Sequence, residues 1–293
     1  MQSIWIKRLL RLSAHLPLWL NHAIGAFSGR RALHSRRTEL LTARINIALC
    51  FPERSESEQQ QLLQQTMIEL GKTLSEIGVL WFGNKEQIAQ LVSEVHGEAL
   101  IKAGLARGKG VILTSPHLGN WEIIGIYCSA RYPMTNLYRP PRQQGMDEVL
   151  RNSRERFGAK LVPTNIKGVK ELYQALNNNE LIGILPDQDP GENGGEFAPF
   201  FGIQANTMTL LSRLAKKSGA TVLCVWAERL PNSRGFALHF NPVADEIYSA
   251  DVLTSVTALN QAVEAAIRQI PAQYQWGYKR FKTRPPGEAQ LYD

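Results

Sequence analysis

Three features of the 293-residue sequence predict an α/β protein with a mostly parallel or mixed sheet flanked by helices, preceded by an N-terminal helical membrane-associating region. From Gly97 onward, short β-prone runs alternate with amphipathic stretches, the pattern of a sheet with helices on its faces. Ahead of that alternation lie two helical segments. Before those, residues 4–28 are apolar enough to seek an interface and too interrupted to span one cleanly.

The first region, residues 1–37, carries Trp5, Leu9, Leu12, Trp19, Ile24 and Phe27, broken by Arg11, His15, Asn21 and His22. Lys7, Arg8, Arg30, Arg31, Arg36 and Arg37 surround it, a cluster suited to anionic lipid headgroups. An ordinary surface helix with a solvated basic face is the plainer reading. Residues 38–293 form the second unit, a helical entry over 38–95 and an α/β core over 96–293. Thr38 to Leu49 is helical. Ser55 to Phe82 follows as a long helix that opens with a Ser55/Glu58 capping box and carries apolar residues at helical intervals.

In the core, Ala99–Ala106 reads as helix, Val111–Thr114 as strand, Trp121–Ala130 as helix and Thr135–Tyr138 as strand. Met146–Phe157 is helical, Leu161–Pro163 a strand, Val169–Asn177 a helix and Leu181–Leu185 a strand. Thr207–Ser218 reads as helix, Thr221–Ala227 and Phe236–Asn241 as strands, and Val252–Ile270 as a closing helix. Ligands of such sheets sit at the carboxyl ends of the strands.

Composition narrows the chemistry. Hydrophobic residues make up 44%, and 33 Lys and Arg against 26 Asp and Glu leave a net charge of +7. An anionic partner suits that balance: lipid phosphate, an acidic carrier protein or nucleic acid. The three cysteines, Cys50, Cys128 and Cys224, are far apart in apolar surroundings and read as buried free thiols. No Cys/His set has zinc-ligand spacing, and no phosphate-binding glycine motif is present. Neither metal nor cofactor is expected.

The stretch Gly110–Glu122 runs from strand through a polar turn into a helix. His117 and Glu122 are five apart, about 140° around a straight helix, so they meet only if the chain turns between them. Pro116 and Gly119 allow that turn. Asn120 fits a helix N-cap, and Glu122 would sit in the first turn, where a carboxylate suits the helix dipole. Such a pair can work as a dyad, with Glu122 holding one imidazole nitrogen and the other free to take a proton from an alcohol. The plainer alternative is a histidine at a strand end and a glutamate stabilising a helix start.

Three further sites are candidates, two of them after strands and one on a helical stretch. Arg139, in Leu137-Tyr-Arg-Pro-Pro141, would project from a strand end towards the same crevice. Arg154 lies on the basic stretch Arg151-Asn-Ser-Arg-Glu-Arg156 and would grip a phosphate or steady an oxyanion. Asp187, in Leu185-Pro-Asp-Gln-Asp189, would pair with Arg154 to hold it in place. Asp187 and Asp189 also form an Asp-x-Asp, the basis of a minor alternative, a metal-dependent glycosyltransferase.

Ser115-Pro-His-Leu-Gly-Asn-Trp-Glu122 resembles the His-x-x-x-x-acid motif of the glycerolipid acyltransferases, in the version of the lipid A late acyltransferases. The resemblance recurs at Asn46–Glu53, Glu76–Trp81, Tyr138-Arg-Pro140, Arg154, Asp187, Phe197–Gly202, Asn206-Thr207 and the tail Trp276-Gly-Tyr-Lys-Arg-Phe-Lys282. It implies a glycerolipid acyltransferase-like fold and an enzyme of lipid A assembly at the cytoplasmic face of the cell inner membrane. The implied donor is an acyl carrier protein thioester, and the implied acceptor is a hydroxyl of a Kdo-linked lipid A precursor. Another hydroxylated lipid is the nearest alternative acceptor. His117 and Glu122 are then catalytic, and Arg139, Arg154 and Asp187 bind substrate. The aromatic and basic tail would also suit nucleic acid, but no nucleic-acid fold accompanies it, and none is expected as a partner.

Overall fold

The computed structural model describes residues 2–35, 37–140, 146–191 and 194–292, with the side chains of residues 2–7 and 146 outside the description. Trp5, Lys7 and Arg36 of the expected membrane-facing cluster therefore lie outside the described side chains.

The entry region is helical: α1 (Gln2–Ser13), α2 (Leu18–Ala32), α3 (Thr38–Cys50), α4 (Glu56–Phe82) and α5 (Lys85–Leu91). Residues 4–28 are two helices instead of one segment. Pro17, in an extended conformation, precedes α2, because its ring fixes φ and removes a backbone donor. Asn21 Nδ2 closes the corner by donating to the Ser13 carbonyl at 3.0 Å. Among the described residues, no helix is long and apolar enough to cross a membrane.

α2 lies against α4 at backbone distance. A Cβ added at Gly29 would stand 2.2 Å from the Met67 carbonyl oxygen, and one at Gly71 would stand 2.1 Å from that of Gly25. Only glycine allows helices so near to each other. α4 begins as expected, with Ser55 and Glu58 satisfying each other's backbone N–H groups.

The sheet region follows: β1 (Val92–His96), α6 (Ala99–Ala106), β2 (Val111–Thr114), α7 (Trp121–Ser129), β3 (Met134–Tyr138), α8 (Met146–Glu155), β4 (Ala159–Pro163), α9 (Ile166–Asn177) and β5 (Leu181–Ile184). Then come β6 (Gly195–Phe200), β7 (Ile203–Met208), α10 (Leu210–Ser218), β8 (Thr221–Arg229), β9 (Phe236–Pro242) and α11 (Val252–Gln269). Seven strands form one sheet in the order β1-β9-β8-β2-β5-β3-β4. β8, β2, β5, β3 and β4 are mutually parallel. β9 runs antiparallel to β8, and β1 pairs parallel with β9. The sheet is thus mixed and mostly parallel.

Alternation along each central strand builds a core on each face. Val111, Leu113, Leu181, Leu223 and Val225 pack with Ile123 and Ile124 of α7 and Ile101 of α6. Ile112, Ile182, Val222 and Cys224 pack with Leu211 and Leu214 of α10 and Leu259 and Val263 of α11. All three cysteines are free and buried, and burial pushes the Cys128 and Cys224 thiols up to about 12.

Five elements differ from expectation: α5, β1, β6, β7 and the start of α10. α5 and the half-exposed edge strand β1 occupy a stretch with no sequence assignment. The helix expected from Thr207 starts only at Leu210, because Ile203–Met208 forms an antiparallel hairpin with Gly195–Phe200. Ala198, Phe200, Ala205 and Thr207 face inward from that hairpin.

Candidate active site

β2 and β5 are adjacent and parallel, so the loops leaving their carboxyl ends meet. His117 comes from the first and Asp187 from the second. The His117 Nδ1–H donates to Asp187 Oδ1 at 2.8 Å, and the His117 backbone N–H donates to Oδ2 at 2.9 Å. Burial alone would raise the Asp187 carboxyl. The His117 charge and the two hydrogen bonds outweigh it and hold the group below the usual carboxylate range. An ionised carboxylate only accepts, so in the neutral ring the proton sits on Nδ1 and Nε2 carries a lone pair. The Trp121 ring meets the imidazole edge-on at 4.8 Å.

Glu122 stands in the first turn of α7. Arg154, in the last turn of α8, grips it with two parallel bonds: Nε donates to Oε2 at 2.9 Å and Nη2 to Oε1. Burial lowers the Arg154 proton affinity, but the Glu122 charge and hydrogen bonds outweigh this and raise it.

The expected partners are therefore exchanged. Glu122 holds Arg154 where it was expected to hold His117, and Asp187 holds His117 where it was expected to hold Arg154. Strand order is the physical reason. β5 lies directly beside β2, which puts Asp187 against His117, while α8 joins β3 to β4 and brings Arg154 to the start of α7. Arg139 lies just past β3 at the same carboxyl edge and is exposed, outside both pairs. On α8, Arg151 bonds Tyr138 and Glu155, and just past it Arg156 bonds the Leu80 carbonyl.

Asp189 takes no part in the pair. Its Oδ1 accepts from the Gly191 N–H at 2.7 Å, and its Oδ2 accepts from the Thr283 N–H at 3.2 Å. With Asp187 facing His117, the two aspartates serve different loops and do not converge. Among the described residues, no group of three or more His, Cys, Asp and Glu could hold a metal ion.

Backbone bonds hold the His117 loop from several sides. Ser115 N–H donates to the Ile184 carbonyl at 3.1 Å, Gly119 N–H to that of Gln273 at 2.9 Å and Asn120 N–H to that of Ala227 at 3.0 Å. The His117 carbonyl accepts from Gln275 N–H at 3.1 Å. Gly119 has φ of 60°, and a Cβ there would stand 1.8 Å from the Ala227 oxygen, so the turn requires glycine. Asn120 occupies the N-cap position but makes no side-chain cap. Its amide instead donates to Glu76 Oε2 at 2.7 Å.

That contact belongs to a buried network the sequence reading missed. Fully buried Glu76 is bound by Arg229 through Nε and Nη2, and by His22 Nε2 at 2.6 Å. Arg229 also donates to Glu69 at 2.7 Å. The signal was a charged residue at 76 inside an apolar helical stripe and another at the end of an apolar strand. The C-terminal segment adds a second support. Tyr274 is buried near Asp187, and burial followed by the Asp187 charge raises its proton affinity well above normal.

Beside the Glu122–Arg154 pair lies a cavity of about 60 Å³ lined by Leu113, Trp121, Glu122, Ile126, Met134, Arg154 and Val225, among others. It has room for roughly four or five water-sized groups. Its walls are mostly apolar, with the Glu122–Arg154 pair as their charged portion.

An α/β sheet that carries at its carboxyl edge a carboxylate-bound imidazole near an apolar slot offers an arrangement that can take a proton from a hydroxyl. The sequence matches the bacterial lipid A biosynthesis acyltransferase family over residues 3–283, and the chain belongs to that family. It is 32% identical over 278 residues to the lipid A biosynthesis palmitoleoyltransferase of Escherichia coli K12, covering 94% of this chain and 87% of that one. It is 30% identical over 285 residues to the lauroyltransferase of the same organism, covering 97% and 92%. Identity to the E. coli myristoyltransferase is 29% over 272 residues, covering 92% and 82%. The protein is an acyltransferase of lipid A biosynthesis, and the family implies a lipid A-type acceptor.

Proposed function

We propose that this acyltransferase moves a fatty acyl chain from an acyl carrier protein thioester to a free hydroxyl on a 3-hydroxyacyl chain of a Kdo-linked lipid A precursor. The step takes place at the cytoplasmic face of the inner membrane. The observation that carries the reading is the clamp of Asp187 on His117, which leaves Nε2 as a base at the sheet edge.

In this reading Nε2 takes the acceptor hydroxyl proton as the oxygen attacks the thioester carbonyl. The tetrahedral intermediate collapses, the carbon–sulfur bond breaks, and the imidazolium returns its proton to the departing thiolate. No residue of the chain is acylated. Asp187 fixes the tautomer and offsets the imidazolium charge. Arg154, held flat by Glu122, supplies positive charge beside the reacting carbonyl or a lipid phosphate. Exposed Arg139 lies at the rim, where an anionic headgroup would pass. The apolar slot takes the first carbons of the acyl chain, in keeping with the fatty acyl groups in the names of the relatives.

Membrane seating belongs to the same proposal. Leu9, Leu12, Trp19 and Phe27 are each more than 60% exposed, an unusual density of bare apolar side chains for two short helices. Arg11, Arg30, Arg31 and Arg37 are exposed around them, matched to anionic lipid. The excess positive charge also suits an acidic carrier protein.

Mass spectrometry of lipid A from cells with and without this protein tests the function. A mass difference of one acyl group supports the proposal, and identical lipid A profiles contradict it.

A further inference from the structure

Gln188 touches the one nitrogen that the proposed chemistry needs. Its carboxamide Nε2 stands 3.3 Å from His117 Nε2. Because Asp187 holds the proton on Nδ1, the other ring nitrogen presents a lone pair, and an amide N–H is the group that can meet it. The placement is not that of a loose surface side chain. Asp187 before it is clamped on His117. After it, the Asp189 backbone N–H donates to the Tyr278 hydroxyl at 3.1 Å, and the Asp189 carboxylate is bound by the Gly191 and Thr283 amides. The chain is thus pinned on both sides of Gln188, and its half-buried side chain faces the imidazole.

We propose that Gln188 is a specificity residue that selects the acceptor alcohol over water. This rests on the reading of His117 as the base. In the free enzyme the Gln188 amide occupies the position on Nε2 from which a hydroxyl is deprotonated. A water molecule that reached Nε2 would attack a bound thioester and release free fatty acid and thiol. It would form a carbon–oxygen bond, break the carbon–sulfur bond and pass its proton through His117 to the thiolate. The amide stands in the way of that reaction. At 3.3 Å its bond is long and exchangeable, so a competitor held in place can displace it. A hydroxyl on a lipid anchored elsewhere in the site has the advantage of a high effective concentration, whereas a free water does not.

The test compares two rates on one preparation: hydrolysis of lauroyl-acyl carrier protein without acceptor, and acyl transfer to a purified Kdo-lipid A precursor with a free 3-hydroxyacyl group. Their ratio does not depend on the fraction of enzyme that is folded. Gln188→Met keeps the side-chain length and removes the donor, and Gln188→Ala removes the whole group. Both are expected to raise the ratio of hydrolysis to transfer by about three- to tenfold, the effect of losing one neutral hydrogen bond. A ratio equal to or below that of the wild type overturns the inference, including the case in which both rates fall together. His117→Ala separates this from the underlying reading. If that variant still transfers and hydrolyses at the wild-type rate, the base assignment fails. If it is inactive while the Gln188 variants keep the wild-type ratio, only the role of Gln188 fails.

Discussion

Asp187 receives the ring Nδ1–H and the backbone N–H of His117 at 2.8 and 2.9 Å, so one carboxylate fixes both the tautomer of the ring and the main chain that carries it. Asp187→Asn exchanges an acceptor for an amide whose N–H would face Nδ1 and drive the ring proton to Nε2. Acyl transfer is expected to fall by about 10²–10⁴-fold, the range of general-base assistance, with little change in the far-ultraviolet circular dichroism. Steady-state kinetics on the purified variant checks this, and a loss below threefold would count against tautomer control.

The Glu122–Arg154 pair is part-buried, with side-chain exposures of 12% and 24%, so each partner is costly to leave alone. Glu122→Gln and Arg154→Met should each reduce transfer. The double variant should be no worse than the poorer single one, because both remove the same unit. A double-mutant cycle on kcat/KM is expected to give a coupling of about 0.5–3 kcal/mol. Strict additivity would separate the two residues.

Stability should fall in acid. Burial alone would raise the Glu76 carboxyl, but the charge and hydrogen bonds of Arg229 and the bond from His22 more than offset this and hold it at about 2, against 4.5 for the ordinary group. A group depressed in the folded state contributes stability that is complete above its unfolded value and is lost as pH drops through its folded value. Asp187 acts in the same direction. The wild-type Tm should therefore decline from about pH 4.5 towards pH 2. Glu76→Gln should melt lower at neutral pH and lose less between those limits. Thermal unfolding followed across that range checks the sign.

Membrane seating predicts that Trp19→Ser with Phe27→Ser weakens binding to anionic vesicles. These rings are exposed, so the folded chain should tolerate their loss. Burying a large apolar side chain is worth about 1.5–3 kcal/mol, which makes a tenfold or greater loss in a vesicle sedimentation assay the expected result. Undiminished binding would remove this face from the interface.

How far the fold and site can be read in the sequence varies from residue to residue. The α/β alternation was legible because buried parallel strands such as Val111–Thr114 and Leu181–Ile184 are compact apolar runs between helical repeats. The edge strand β1, with the sequence Val-Ser-Glu-Val-His and mostly exposed, carries no such signal. The hairpin of β6 and β7 was hidden by Pro199 and Gly202, which read as loop. Within the site, the turn at Pro116 and Gly119, the strand-end position of Asp187 and the helical position of Arg154 were legible. Who pairs with whom was not legible, because it depends on β5 lying beside β2, a choice made across 70 residues of chain. The Glu76–Arg229 network depends on contacts 153 residues apart for the same reason.

The central claim is that the imidazole of His117 takes the proton from the acceptor hydroxyl. The most direct test is the kcat for acyl transfer by folded His117→Ala at saturating donor and acceptor. A fall of about 10²–10⁴-fold with an unchanged melting profile is the predicted result. Transfer within a fewfold of wild type would contradict the mechanism.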